Sequence, residues 1–275
     1  MEKQDAVKYL IYLLRTYDGV TRMITATKNR LHAINPDAEV GHQVEIKAME
    51  SQQGNLSRRI GKELDVYPIW TDWMQQIPGC GPYVAGNLIQ MYYFKQVAIC
   101  KKCGADLNDE FTCTGCGTAS KGGGILATRI EERDFPTISK WWAFMGRGID
   151  AETGKMPKRA KGQKSNWSSR GRVVTFQLGD QFNRQKEDHP YKAFLLERRK
   201  RHLKTHPDAS KGHNLNMSKH ETIKLFLAHM WTVARYLDGK PVSRPYAGTI
   251  MGHTGIVEPF FFDHKISYVE DRVAA

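Results

Sequence analysis

Much that would place this chain at a membrane or outside a cell is missing from it. No apolar run is long enough to span a bilayer. Met1-Glu2-Lys3-Gln4-Asp5 is mixed in charge, and the apolar residues after it are spaced as in a helix, which is not the form of a cleaved secretory signal. The expectation is a cytoplasmic protein with no membrane partner. Cysteine is scarce as well: there are five, four of them in two close pairs, which reads as metal ligation in a reducing compartment rather than a disulfide framework. Histidines at His202, His206, His213, His220, His229 and His253 follow no H-E-x-x-H or other ligand spacing, so no second metal site is expected. No heptad is sustained, no segment repeats, and no grouping of carboxylates marks an acid-base or two-metal centre.

Negative charge is absent from one long stretch. Between Thr153 and Gly179 there is no acidic residue, while Lys155, Lys158, Arg159, Lys161, Lys164, Arg170 and Arg172 supply seven positive charges. A second basic cluster runs from Arg198 through Arg199 and Arg201 to Lys204. Over the whole chain, 41 Lys and Arg stand against 29 Asp and Glu, a formal charge of +12, which favours a polyanionic partner. Basic runs are often only solvated faces, but two of them beside the hairpin described below point the same way.

With 275 residues and 40% hydrophobic content, the chain can bury a core. The periodicity predicts a mainly α fold. Tyr9, Leu10, Leu13, Leu14 and Tyr17 open an amphipathic helix that reaches about Ile34, with a break at Gly19, and residues 40–64 form a polar second helix. Residues 1–66 are therefore read as an N-terminal helical arm, 67–97 as a helix-hairpin-helix, 98–124 as an inserted zinc ribbon ending in Gly122-Gly123-Gly124, and 125–275 as a basic helical C-terminal domain. In that last part Asp134-Phe135-Pro136 starts one helix, and Trp167 to Gln185 and the segment from Pro190 form two more. Ser218 and Glu221 form a capping box for a fourth, whose apolar stripe ends at Gly239; residues from Pro241 onward read as irregular tail.

Two motifs carry chemistry. In Ile77-Pro78-Gly79-Cys80-Gly81-Pro82-Tyr83, Gly79 and Gly81 permit a tight hairpin and Pro82 suits the first turn of the next helix. The free amides there, beside Tyr83, can take a phosphate oxygen; the alternative is a packing joint with no ligand. Cys100-x2-Cys103-x9-Cys113-x2-Cys116 lets four thiolates converge on one ion, so one structural zinc per chain is expected. Gly104, Gly115 and Gly117 supply the tight turns of the two knuckles.

The order of parts adds a resemblance. A polar helical pair, then Ile77 to Ala85, then Ile138-Ser139-Lys140-Trp141-Trp142-Ala143-Phe144-Met145-Gly146-Arg147-Gly148, then a basic stretch and helices, looks like the C-terminal part of one family of insertion-sequence transposases. These pair a RuvC-like DEDD domain with a serine-bearing C-terminal domain and use a bridge RNA. The likeness covers roughly residues 40 to 240 and lies in order and pattern rather than in strict motifs. It implies DNA as partner, with structured RNA beside it, and strand cleavage and transfer as the activity. The family's nucleophilic serine has Thr153 at the matching place, with Ser165, Ser168 and Ser169 farther on. No RuvC-like domain precedes the helical pair, so the resemblance puts the metal-binding carboxylates on a separate catalytic subunit or leaves the chain without that chemistry. A homo-oligomer is a further arrangement the resemblance allows. Two other readings stand beside it: a non-catalytic clamp on DNA or RNA, and a helix-hairpin-helix repair enzyme, for which Lys95 is the nearest candidate.

Overall fold

The computed structural model describes residues 3–34, 43–108, 112–119, 126–149, 154, 156–159, 161–162, 165–243 and 257–269. The protein is mainly helical. Helices α1 (Lys3–Ile34) and α2 (Gln43–Leu64) run antiparallel, since Lys28 pairs with Glu50, Gln53 donates to Thr21 and Arg59 reaches back to Tyr9. A short α3 (Pro68–Thr71) and a 3-10 turn (Met74–Gln76) lead through the hairpin into α4 (Pro82–Tyr93). Gly86 lets α4 cross this pair closely, because a Cβ there would stand 3.1 Å from Ile60 Cγ2 and 3.2 Å from Leu14 Cδ2. Both gaps are tighter than ordinary van der Waals contact.

The chain then leaves the helical body as β1 (Phe94–Cys100) and returns as the antiparallel β2 (Leu126–Glu132), with Phe94 opposite Glu132 and Cys100 opposite Leu126. Helix α5 (Ile138–Phe144) follows, capped by Thr137, then α6 (Ser169–Arg184), capped by Ser168, and α7 (Pro190–Thr205), opened by proline at its first turn. Helix α8 (Lys211–Leu237) is the axis of the core: Ile223, Phe226, Leu227, Met230, Trp231 and Ala234 are buried along it, and α3, α5, α6 and α7 pack around it. Gly179 on α6 allows the closest of these approaches, since a Cβ there would meet Ile223 Cδ1 at 2.9 Å. Two of the three fully buried indoles satisfy their N–H groups on backbone carbonyls, Trp73 on Phe260 and Trp231 on Phe135, both at 2.7 Å, while the Trp141 N–H has no partner among the described residues.

Four readings of the sequence change here. Helix α1 is continuous through Gly19, whose missing side chain faces open space and meets no neighbour that would favour a break. The base of the N-terminal pair is no free arm: Leu10, Leu13, Ile60 and Leu64 share one apolar core with Trp73 and Trp231, whereas Ile34 and Val44 at its distal end are exposed. Ser218 does not cap α8. The cap is Ser210, which accepts from the His213 amide, while Ser218 lies buried inside the helix and donates back to the Asn214 carbonyl at 2.8 Å. The tail is also more regular than expected, with β3 (Val242–Ser243) pairing in parallel with β4 (Tyr268–Val269) and Phe260 edge-on to Tyr191.

Candidate metal centre and nucleic-acid interface

At the tip of the β1–β2 stem the chain makes two matching knuckles. The Gly104 amide donates to the Cys100 carbonyl at 2.8 Å and the Gly117 amide to the Cys113 carbonyl at 3.0 Å, each glycine at positive φ. These turns bring the four sulfurs within 4.8 Å of one another, with Cys100 and Cys116 3.7 Å apart and Cys103 and Cys113 3.3 Å apart. A tetrahedral ion with metal–sulfur bonds of about 2.3 Å needs sulfurs about 3.8 Å apart, so the donor set fits a metal ion. The amides of Gly115 and Cys116 both point at Cys113 Sγ from 3.4 Å, as expected around a thiolate. Hydrogen bonds from Thr118 bring the Cys116 thiol down to about 6. Among the described residues this is the one group of three or more Cys, His, Asp or Glu placed to hold an ion. Cys80 stands apart in the hairpin, and burial raises its thiol far above the ordinary range.

The hairpin glycines divide their work. Gly79 has φ +94°, and a Cβ on it would stand 3.1 Å from Gln181 Cβ and 3.1 Å from Gln185 Nε2, so it lets the turn dock on α6. Gly81 is extended at the N-cap of α4, faces open space, and borders a cleft of about 480 Å³ with Tyr17, Ser57, Gln177 and Gln181. The first amides of α4 have no partner inside the helix. Tyr83 lines the same cleft and is held in place from α1. It stacks on Tyr17 with ring centroids 4.3 Å apart and donates its hydroxyl to Asp18. Arg170 joins the same group, 2.5 Å from Asp18 Oδ2 and donating at 3.0 Å to both Asn87 Oδ1 and the Tyr83 oxygen. Tyr83 and Arg170 thus tie α1, α4 and α6 together.

Thr153, Lys155 and Lys164 lie outside the described residues. Lys158, Arg159 and Lys161 are exposed, and none of them pairs with a carboxylate among the described residues. Arg172 lies over Trp167 at 4.7 Å and donates to the Pro157 carbonyl at 2.8 Å, so it anchors the basic loop to α6. On α7, Arg198 is 3.4 Å from Glu221, which also takes His202 at 3.0 Å, whereas Arg199 and Arg201 form no ion pair among the described residues.

Sequence reasoning passed over Arg147. Its side chain is buried and spends its donors on Thr175 Oγ1, at 2.9 and 3.1 Å, and the Arg172 carbonyl at 3.0 Å, with no carboxylate among the described residues. Burial and then Arg172 lower it to about 10, so it stays charged at neutral pH. The one signal in the sequence was an arginine placed directly after the Met145-Gly146 helix end. Arg147, Arg159 and Arg172 meet at a pocket of about 460 Å³ whose walls include Trp167, Val173 and Phe176.

Compared with known proteins, the chain matches no family model, no curated sequence and no solved structure. No helix among the described residues is long and apolar enough to cross a membrane.

Proposed function

We propose that the chain is a zinc-containing nucleic-acid-binding protein that holds DNA, or a structured RNA, by its backbone. The observation that carries this reading is the arrangement along α6. Its exposed strip of Val173, Phe176 and Gln177 lies between the Gly79–Gly81 cleft and the pocket where Arg147, Arg159 and Arg172 meet. From Arg172 to Gln181 the helix advances about 14 Å at 1.5 Å per residue, close to the rise of four nucleotides along one strand. Amides at one end and guanidinium groups at the other are phosphate ligands of two kinds, and neither reads bases.

The four-thiolate site is a structural zinc site in this proposal, because all four positions are taken by protein sulfur and none is left for a substrate. The transposase-like order of parts makes DNA recombination the biological setting. In it this chain binds and positions strands, while the carboxylates for metal-assisted strand transfer come from another subunit.

The test is binding of the zinc-loaded protein to labelled linear duplex, four-way junction and structured RNA over a salt series, with each sample then run on a denaturing gel. Tight, salt-sensitive binding without an adduct is the expected result. A covalent protein–DNA species would instead make the chain an enzyme with a hydroxyl nucleophile. Absence of binding to all three would remove the proposal.

A further inference from the structure

The pocket beside α6 has more in it than phosphate binding needs. Its apolar walls come from Met156, Trp167, Val173, Phe176 and Ile223, and no acidic residue lines it among the described residues. Its volume of about 460 Å³ is that of a small-molecule site. Phosphate contacts made on an open surface do not require an apolar cavity behind them.

The cationic side is equally specific. Arg147 is nine-tenths buried, and its neighbour Arg172 also lacks a carboxylate partner among the described residues. Arg147 is hydrogen-bonded to neutral groups alone, so its charge adds positive potential to the pocket and favours an anion at Arg159 and Arg172 beside it. Lys219 is committed to Asp180 at 2.8 Å, yet its ammonium also sits 4.6 Å from the centre of the Phe176 ring, which is 47% exposed. His220, on the same wall, is kept neutral by burial and by Arg147.

A flat apolar body joined to an anion meets both demands, and in a nucleic acid that unit is a base with its phosphate. We propose that this pocket receives one unstacked nucleobase from the bound strand, laid against Phe176 and Val173, with its flanking phosphate on Arg159 and Arg172. The inference rests on the nucleic-acid reading above. Extruding a base from a duplex costs free energy that an already unpaired base does not incur, so bulges, junctions and single strands are the favoured substrates.

The experiment uses three labelled duplexes of equal length: fully paired, with one bulged adenine, and with one bulged abasic sugar. Each is titrated with the wild-type chain and with Phe176→Ala and Val173→Glu, two exposed positions whose variants are checked for folding by circular dichroism. Wild type should prefer the bulged adenine over the abasic bulge on the order of tenfold, the size of one base–aromatic stack. Both variants should lose that preference, so that each binds the adenine bulge and the abasic bulge with equal affinity whatever its affinity for the paired duplex. Equal affinity for adenine and abasic bulges, or a preference that survives in Phe176→Ala, overturns the pocket assignment and leaves backbone binding standing. Competition by free adenosine monophosphate together with a flat response to the bulge would make this a free-nucleotide site, which also overturns it. No binding to any duplex overturns both readings.

Discussion

The Arg170 guanidinium stands 2.5 Å from the Asp18 carboxylate and draws Tyr83 and Asn87 into the same group. A residue that the sequence places in a basic, DNA-facing run is therefore an internal fastener between the first helix and the sixth. Arg170→Ala should lower unfolding stability by about 1–2 kcal/mol, less than a fully buried pair would lose because the arginine is partly exposed. Denaturant titration measures the loss. Affinity for duplex should stay close to wild type, and a large drop in affinity without a stability change would assign Arg170 to the nucleic acid instead.

Lys158, Arg159 and Lys161 should behave in the opposite way. Changing all three to glutamate is expected to leave the melting temperature nearly unchanged, because none pairs with a carboxylate among the described residues. Duplex affinity should fall, and the slope of log affinity against log salt should shrink by about 1 for each phosphate contact removed. An unchanged slope would show these cations to be ordinary solvated side chains.

Gly79 and Gly81 can be separated. Gly79→Ala places a Cβ at φ +94° and within 3.1 Å of Gln181, and should cost about 1–3 kcal/mol of stability. Gly81→Val meets open space and should fold normally, while its bulk obstructs the approach of phosphate to the α4 amides. If the folded Gly81→Val protein binds duplex as well as wild type, the hairpin is a packing joint only.

Zinc removal should act locally. Cys103→Ser or Cys113→Ser, or chelation, is expected to abolish the one metal per chain and disorder the knuckles, with most of the helical circular dichroism retained. One zinc per chain persisting after either substitution, measured by a colorimetric metal assay, would defeat the four-thiolate assignment.

Acid should destabilise the fold through two histidines. In His229, Nε2–H donates to the Val257 carbonyl and Nδ1 accepts from the Tyr191 hydroxyl, both at 2.9 Å, and burial takes the ring from 6.5 down to about 3. Burial, then Arg147, does the same to His220. Because the unfolded chain binds protons that these folded-state rings refuse, stability is full above about pH 6.5 and falls as pH drops toward 3. The slope is up to about 1.4 kcal/mol per pH unit for each ring. Urea midpoints at pH 7, 6 and 5 should decline, and His229→Gln should flatten that decline even if it lowers every midpoint.

The helices were legible wherever one face repeats at the helical period, as from Tyr9 to Tyr17, and the knuckles because Cys-x2-Cys spacing leaves a thiolate pair few other arrangements. Ser218 misled because Ser-x-x-Glu is a local pattern, whereas the start of α8 is fixed by Ser210 and by Asn214, which is buried among other elements. Arg147 could not be seen for a related reason. Its meaning comes from Thr175 and Arg172, more than twenty residues onward, and only the packing of α5 and of α6 on α8 brings them together.

The stem of the four-cysteine module has a consequence for how such a chain is assembled. The Tyr93 carbonyl accepts from the Arg133 amide at 2.8 Å, so the strand pair departs and rejoins at a single rung. Beyond that rung its apolar contacts with the body are few, chiefly Phe94 and Ile130 on Val7 and Ile11. Such a segment is a cartridge by its attachment: bridging Tyr93 to Arg133 with a brief turn, with Val7 and Ile11 made polar, is expected to leave the helical body folded, as retained helical circular dichroism would show.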